Sequence, residues 1–376
     1  MTSRSRRAGT DLCPGFTIDT LGRILKHTAL NPALTLPLLL LARYTRKGQA
    51  VASLHPGALK HLKTLLCLGL AGRISGWLDR AVANNWTSDV YDWSKELVVV
   101  TGGSDGIGKA IVLLLAERGI RVAVLDIQPL TYEAPPSVHH THCDLSSPPS
   151  ISAAVAAVRA HFAAAPTVLI NNAGVCFGQP LLSSPPHLIH KTFAINTLAH
   201  AHLAQLLLPP MIAADHGMLV TIASQAAYVA APYLADYAAS KAAALALHEA
   251  LAAELPTLYG APRVRTVAVC QNYTRTSLFA GFKEGDGVVN YTLEVETVAE
   301  AVVRQVLSGR SGLLVLPGAG WWVSAKVRGW PVWMQVGLRK RCVDLMRGWR
   351  GRVVVQEGEG EEKGAEGERE GGREEE

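Results

Sequence analysis

The apolar run Leu97-Val98-Val99-Val100 leads without a break into Thr101-Gly102-Gly103-Ser104-Asp105-Gly106-Ile107-Gly108. Four consecutive apolar residues suit a strand buried on both faces, as in a parallel sheet. The glycines that follow let the backbone approach a ligand closely. The helix expected to begin there points its free amides and the positive end of its dipole at the turn. Strand, bare turn and helix N-terminus, in that order, form a cradle for a pyrophosphate.

The alternation continues down the chain. Arg121–Leu125, Val138–Cys143, Val168–Ile170, Met218–Ile222, Arg265–Val269 and Leu313–Leu316 read as further strands. Between them Lys109–Arg118, Ile151–Ala165, His187–Leu208, Tyr237–Leu255 and Glu296–Ser308 read as helices, several rich in alanine and leucine. Seven strands joined by helical crossovers predict an α/β fold, a Rossmann-type doubly wound seven-stranded parallel sheet.

Composition bears on the segments outside this pattern. With 49% hydrophobic and 18% charged residues, the chain has material for a large core and is not globally disordered. Its six cysteines are scattered and form no CxxC pair, which fits neither a disulfide scaffold nor a zinc site. Charge is segregated: residues 1–95 carry +8, 96–316 carry −3, 317–355 carry +7 and 356–376 carry −7. A nucleic-acid binder would place its positive excess on the folded domain, so nucleic acid is not an expected partner. Basic, apolar, tryptophan-containing flanks suit an anionic membrane surface instead. Leu30–Ala42 and Thr64–Gly72 are apolar runs bounded by cations, each shorter than the roughly 18–20 residues of a straight span. Pro32 and Pro37 are expected to interrupt the first. A shallow hairpin or interfacial helices in one leaflet is the favoured reading; a soluble helical cap and a single spanning helix are the others. Gly320–Arg352 holds Trp321, Trp322, Trp330, Trp333 and Trp349 among eight Lys/Arg, which suits a headgroup layer or, alternatively, a lid over a site. Four regions follow: a membrane-associating flank (1–95), the sheet domain (96–316), a Trp/Arg-rich flank (317–355) and a disordered acidic tail (356–376).

Several residues fall where chemistry is done in such a fold. Asp126 ends the second strand, placed to accept hydrogen bonds from both ribose hydroxyls and to repel a 2′-phosphate. Asp105 adds like charge, and no Lys or Arg lies between Val122 and Thr131. NAD rather than NADP is therefore expected. Asp144, at the end of the third strand, is placed for the adenine amino group. His139, His140 and His142 point alternately to opposite faces and do not converge on a metal. Asn171-Asn172-Ala173-Gly174 follows the fourth strand and Asn196 lies within a helix; on its own, Asn196 reads as a structural amide. Ser224 ends the fifth strand, and Tyr237 and Lys241, four residues apart, share one helix face.

In this order, TGxxxGxG, an acid after the second strand, NNAG, the helix Asn, then Ser and Tyr-xxx-Lys, the sequence resembles the short-chain dehydrogenase/reductase family over about residues 96–316. The resemblance implies an oxidoreductase. Tyr237 would be the general acid/base, Lys241 the cation that stabilises its phenolate and holds the nicotinamide ribose, and Ser224 the donor to the substrate oxygen. Asn196 would order a water that links Lys241 to solvent. Gly102, Ser104, Asp105, Gly106, Ile107, Gly108, Asp126, Asp144, Leu145, Asn172, Ala173, Gly174, Tyr237, Lys241 and Thr276 would contact the cofactor, NAD, and no metal is expected. One departure stands out: where the family has Pro-Gly after the sixth strand, this chain has Gln271-Asn272. Asn tolerates a left-handed backbone, so the turn is expected to survive, with Thr276 at the matching place for the carboxamide.

The approach from Asn85-Trp86-Thr87 to Tyr91-Asp92-Trp93-Ser94-Lys95-Glu96 resembles membrane-associated fungal members akin to the retinol and hydroxysteroid dehydrogenases. That resemblance implies a lipophilic substrate, a primary or secondary alcohol or its carbonyl (retinoid, steroid or long-chain), covered by Ser277–Leu293. It implies too a membrane or lipid-droplet surface as partner, an endoplasmic-reticulum or lipid-droplet location with the catalytic domain toward the cytosol, and a homodimer. The rivals are a non-catalytic lipid-droplet or membrane scaffold that keeps the fold, and a soluble reductase whose flanks form a lid.

Overall fold

The computed structural model describes residues 18–282 and 292–351. Residues 1–17, Lys283–Tyr291 within the expected substrate-covering segment, residues 352–355 and the acidic tail lie outside the described residues. Four helices come first: α1 (Ile18–His27), α2 (Pro32–Tyr44), α3 (Arg46–Leu54) and α4 (Pro56–Ala83). Pro32 does not interrupt α2 but starts it, at a position whose N–H needs no helical partner, with the Asn31 side chain capping Ala33 N at 3.1 Å. Pro37 is carried inside the same helix, contrary to the expected break. The second apolar run is the middle of α4, a 28-residue helix.

The domain then alternates β1 (Leu97–Thr101), α5 (Gly106–Ala116), β2 (Arg121–Asp126), β3 (Val138–His142), α6 (Pro148–Phe162), β4 (Val168–Asn171), α7 (Pro186–Phe193), α8 (Ala199–Ala214), β5 (Gly217–Ile222), α9 (Ala235–Thr257), β6 (Val264–Gln271), α10 (Val295–Leu307) and β7 (Gly312–Leu316). All pairs are parallel, in the order β3-β2-β1-β4-β5-β6-β7. This is the expected doubly wound sheet. Strand order reverses at β1, which pairs β2 on one side and β4 on the other, Val98 facing both Val122 and Val168. Such a switch point opens a crevice at the carboxyl ends of the strands.

Apolar layers cover both faces, as fully buried strands require. Ile151, Val155, Leu203 and Leu207 of α6 and α8 pack on one face; Ile111, Leu115, Val298 and Val302 of α5 and α10 pack on the other. The single helix expected over His187–Leu208 is two, separated by a π-turn at Ala194–Leu198. The widened turn carries the buried Asn196.

The N-terminal flank is tied to both ends of the sheet. At the amino ends of the strands, buried Arg265 donates to Asn84 O (3.0 Å) and Thr87 O (3.1 Å), and the Tyr91 hydroxyl donates to Gly217 O (2.7 Å). At the carboxyl end of β7, the Asp19 carboxylate of α1 accepts from Gly318 N and Ala319 N at 2.9 and 2.7 Å. Beyond β7 the chain forms α11 (Gly320–Val323) and α12 (Val332–Arg341). Among the described residues no single helix is long and apolar enough to cross a membrane. Asp19–His27 and Pro32–Tyr44, bent by 43°, pass that test only together.

Candidate active site

A cavity of about 890 Å³ occupies the crevice, and its two ends differ in chemistry. The first end is built on the turn from β1 into α5. Gly102 and Gly106 take φ of +65° and +57°, which glycine adopts without strain. A Cβ on Gly108 would collide with the Gly102 carbonyl and the Asn172 amide, so this glycine lets α5 pack tightly on the turn. Asn172 secures the turn from the side, its Nδ2 donating to Thr101 O (2.9 Å) and Gly102 O (3.0 Å). The Thr101 hydroxyl accepts from Asn172 N and Ala173 N at 2.9 and 3.0 Å. α5 has no side-chain cap, so its first amides are left for a ligand.

Gly102, Asp105, Gly106, Ile107, Asp126, Asp144, Leu145, Asn172, Ala173, Gly174 and Thr276 all line the cavity. Two residues expected among them do not. Ser104 is buried behind the turn, its hydroxyl donating to Gln128 O (2.9 Å) and its amide to Asp126 Oδ2 (2.9 Å). Gly108 is close-packed against Gly102 O and the Asn172 amide. Asp126 also accepts from Gln128 N at 3.1 Å, which fixes its carboxylate at the rim. Asp144 accepts from the Ser146 amide and hydroxyl at 2.8 and 2.7 Å. Asp105 accepts from the Ser277 hydroxyl at 2.8 Å, joining the glycine turn to the segment after β6. Of the three histidines, His139 stacks on His161 (3.6 Å) and His140 bonds Gln128 O (2.9 Å). No cluster fit for a metal ion occurs among the described residues.

The residues expected to carry the chemistry lie on α9, beside the end of β5. Lys241 is buried, its Nζ donating to Ile222 O at 2.9 Å and lying 6.0 Å from the centre of the Tyr237 ring. Burial pushes the Lys241 ammonium down to about 8. Burial pushes the Tyr237 phenol up; Cys176 raises it further, while the Ser224 hydroxyl draws it back. Ser224 also lines the cavity and accepts from Ala226 N at 3.1 Å. Asn196 does not reach the cavity. Its side chain clamps Val175, accepting from the amide (2.8 Å) and donating to the carbonyl (2.9 Å), and donates to Ser240 Oγ at 3.0 Å. Ser240, which the sequence reading passed over, in turn donates to Tyr237 O at 2.8 Å, so the π-turn holds the α9 turn bearing Tyr237 and Lys241. A Cβ on Gly174 would lie 3.2 Å from Lys241 Nζ and 3.3 Å from Asn196 Oδ1, and its absence leaves the backbone bare there.

The second end is apolar. Leu278, Phe279 and Phe282 face Leu338, Leu345 and Trp349 of the C-terminal flank across the cavity. Trp349 Nε1 donates to Leu278 O (3.1 Å), and Phe279 meets the Tyr237 ring edge-on at 5.8 Å. The flank is therefore a wall of the cavity, the alternative its tryptophans had allowed. Trp321, Trp322 and Trp333 turn outward, with Lys326 Nζ 4.1 Å above the Trp322 ring. The Pro-Gly replacement does not form a left-handed turn. Asn272 has no positive φ, and its N–H continues the ladder onto Leu316 O at 2.7 Å.

Bare glycine backbone, an uncapped helix start and a carboxylate at the end of β2 fit a nicotinamide dinucleotide laid from Asp126 to Tyr237. Residues 96–287 match the family model for short chain dehydrogenase. The chain is 42% identical over 209 residues to "Dehydrogenase RED2" of Cochliobolus heterostrophus, covering 55% of this chain and 78% of that one. It is 32% identical to rat "Estradiol 17-beta-dehydrogenase 11" (60% and 76% covered) and 32% identical to human "Epidermal retinol dehydrogenase 2" (56% and 71% covered). A short chain dehydrogenase of Burkholderia cenocepacia, solved in complex with NADP, shares the fold with a TM-score of 0.56 at 21% identity, over 66% of this chain and 99% of that one. Motif order, sheet topology and these relatives agree: the chain belongs to the short-chain dehydrogenase family, NAD(P)-dependent oxidoreductases.

Proposed function

We propose that this chain is a membrane-associated, NAD-dependent dehydrogenase/reductase that interconverts a lipophilic alcohol and its carbonyl, with Tyr237 as general acid/base. The observation that carries this reading is the position of Tyr237 between a polar groove on one side and the apolar wall of Phe279, Phe282 and Trp349 on the other. When bound, the nicotinamide exchanges a hydride with the substrate carbon. The chain supplies the rest. In the reducing direction Tyr237 Oη gives its proton to the substrate oxygen while the Ser224 hydroxyl donates to the same oxygen. The resulting phenolate is stabilised by the adjacent Lys241 ammonium, held in place by Ile222 O. Asn196 spends its side chain on Val175 and Ser240, so a relay from Lys241 to solvent would run through backbone groups of the π-turn.

Preference for NAD is inferred from Asp126, fixed by two backbone amides at the rim, with Asp105 beside it. Lys109, the nearby cation, is drawn onto Thr131 (3.3 Å) and the face of Tyr132 (5.4 Å). Membrane attachment is inferred from the exposed leucines of α2, the outward tryptophans of the C-terminal flank and the positive charge of both flanks. The relatives named for estradiol and retinol support a lipophilic substrate. An endoplasmic-reticulum or lipid-droplet location, a cytosolic orientation, a homodimer and the division at residues 95, 316 and 355 belong to the same proposal. The test is turnover by the full chain in detergent micelles, with NAD⁺ and NADP⁺ and alcohols of increasing chain length. The proposal requires kcat/KM to rise with chain length and to favour NAD⁺; preference for small polar alcohols would overturn it.

A further inference from the structure

β6 ends on Gln271, where the family usually has proline. The residue is 92% buried, being 8% exposed, and lines the cavity. Its Oε1 is sealed from solvent and has no hydrogen-bond partner. A buried acceptor left in this state is costly unless something donates to it. Strand alternation gives the direction. Cys270 points to the opposite face, with its Sγ on Tyr228 Oη at 3.5 Å. Val267 and Val269 share the Gln271 face and pack in the layer that Ile107 joins. The amide thus stands on the side of the sheet that carries the glycine turn. There the Thr276 methyl lies 3.6 Å from where a Gly106 Cβ would be. Ile107, Thr276 and Gln271 surround one stretch of cavity between the uncapped start of α5 and Tyr237.

This inference rests on the dinucleotide reading above. A pyrophosphate at the start of α5 and a reacting ring beside Tyr237 leave that stretch to the nicotinamide. The oxygen of a lipophilic alcohol is already taken by Ser224 and Tyr237. The donor that remains is the carboxamide N–H of the nicotinamide, and a glutamine side chain is a primary amide of matching donor and acceptor pattern. We propose that Gln271 is a cofactor contact: a turn of its terminal amide about χ3 brings the sealed Oε1 to the cavity, where it accepts this N–H and fixes the rotation of the ring in place of the family's proline. Thr276 stands on the same stretch and is available to the carboxamide oxygen.

Equilibrium binding tests this without turnover. The full chain is titrated, by quenching of its tryptophan fluorescence, with NAD⁺, with the acetylpyridine analogue whose methyl ketone keeps the carbonyl but lacks the N–H, and with ADP-ribose, which lacks the ring. The unmodified chain should bind NAD⁺ about tenfold more tightly than the analogue, the worth of one closed hydrogen bond. Gln271→Leu should weaken NAD⁺ by the same factor, leave ADP-ribose unchanged and erase the discrimination. Gln271→Pro, the residue the family uses, should behave alike and guards against a folding defect peculiar to leucine. If both variants keep full discrimination, or lose ADP-ribose as much as NAD⁺, the contact is refuted while the dehydrogenase reading stands. If the unmodified chain binds none of the three, that reading fails and this inference with it.

Discussion

Helices α4 and α5 are both rich in leucine, yet they meet opposite surroundings. On α5, Ile111, Val112 and Leu115 are wholly buried against the sheet. On α4, Leu68, Ile74, Trp77 and Val82 are each more than half exposed, at 57, 56, 54 and 58%. α5 lies on a sheet face whose strands offer apolar side chains; α4 packs on α2 and α3, whose own leucines also face out. Apolar composition therefore marks a core only where a second apolar surface is available. Where it is not, the apolar side chains stay exposed, and the proposed membrane attachment rests on them. The same contrast divides the cavity: strand ends and glycines build the end expected to hold the cofactor, while the segment after β6 and the basic flank after β7 together build the apolar end.

Chemistry should therefore break in the core and attachment in the flank. Tyr237→Phe removes the phenolic proton and leaves the ring that meets Phe279, so kcat should fall by at least ~10²-fold. NADH binding and membrane partition should not change. Activity within a few-fold of the unmodified chain would end the role given to Tyr237.

Asp126→Ala tests the rim of the polar end. A carboxylate within ~5 Å of a 2′-phosphate at an effective dielectric near ~20 opposes it by a few kcal/mol, so the NAD over NADP ratio in kcat/KM should drop by about 10²-fold. An unmodified chain that already prefers NADP would show that the Asp126 argument is wrong.

The flank has its own test. Embedded apolar side chains resist salt, whereas purely electrostatic contacts are screened by it. Full-length chain should stay with membranes at high salt and leave only in detergent. Deleting residues 1–82 should turn most of it, at least ~10-fold more, into salt-extractable protein, because cations of the C-terminal flank each contribute only about 1 kcal/mol. Release of full-length chain without detergent would make the flank a soluble cap. Where flank and cavity meet, Trp349→Ala should raise KM for long-chain alcohols by about tenfold through lost apolar contact, and leave short ones nearly unchanged.

The parts that were legible in the sequence are those governed by local pattern. Leu97–Val100 announced β1, and the glycine turn, Asp126 and Tyr237-xxx-Lys241 fell on the expected elements because strand ends and helix starts bring them together whatever lies elsewhere. The illegible parts depend on distant partners. Nothing local to His187–Leu208 shows that Asn196 opens a π-turn, since its clamp is on Val175 and Ser240. Pro37 reads as a helix breaker until α2 is seen to continue through it. Ser104 lies in the motif but faces Gln128 rather than the cavity, and Trp349 becomes a wall only because Gly178 and Leu278 receive its ring.

Acid should discriminate the core from the flank once more, through two buried histidines. His200 has both ring nitrogens buried without a partner, and burial, then the charges of Lys241 and His248, push it down to about 3. His248 bonds the Thr221 hydroxyl at 3.0 Å, and burial pushes it down to about 4. Above the ordinary value of 6.5 both are neutral in the folded and unfolded chain, and pH has no leverage through them. Below it the unfolded chain takes up protons that the folded chain refuses, so stability falls as pH drops from 6.5 toward the folded values, by roughly 2 kcal/mol per histidine at about pH 5. Lys241 has the same sign in a different window: stability rises with pH between about 8 and 10.5, where the unfolded chain still holds the proton. Thermal unfolding of the sheet domain, followed in detergent from neutral to mildly acid pH, should show the first loss. His200→Leu, which puts an apolar group of similar volume in the buried site, should remove about half of the acid slope, and His200→Leu with His248→Gln most of it. Membrane attachment, carried by exposed side chains of the flank, should not follow that curve. An acid slope unchanged in the double variant would place the proton uptake elsewhere.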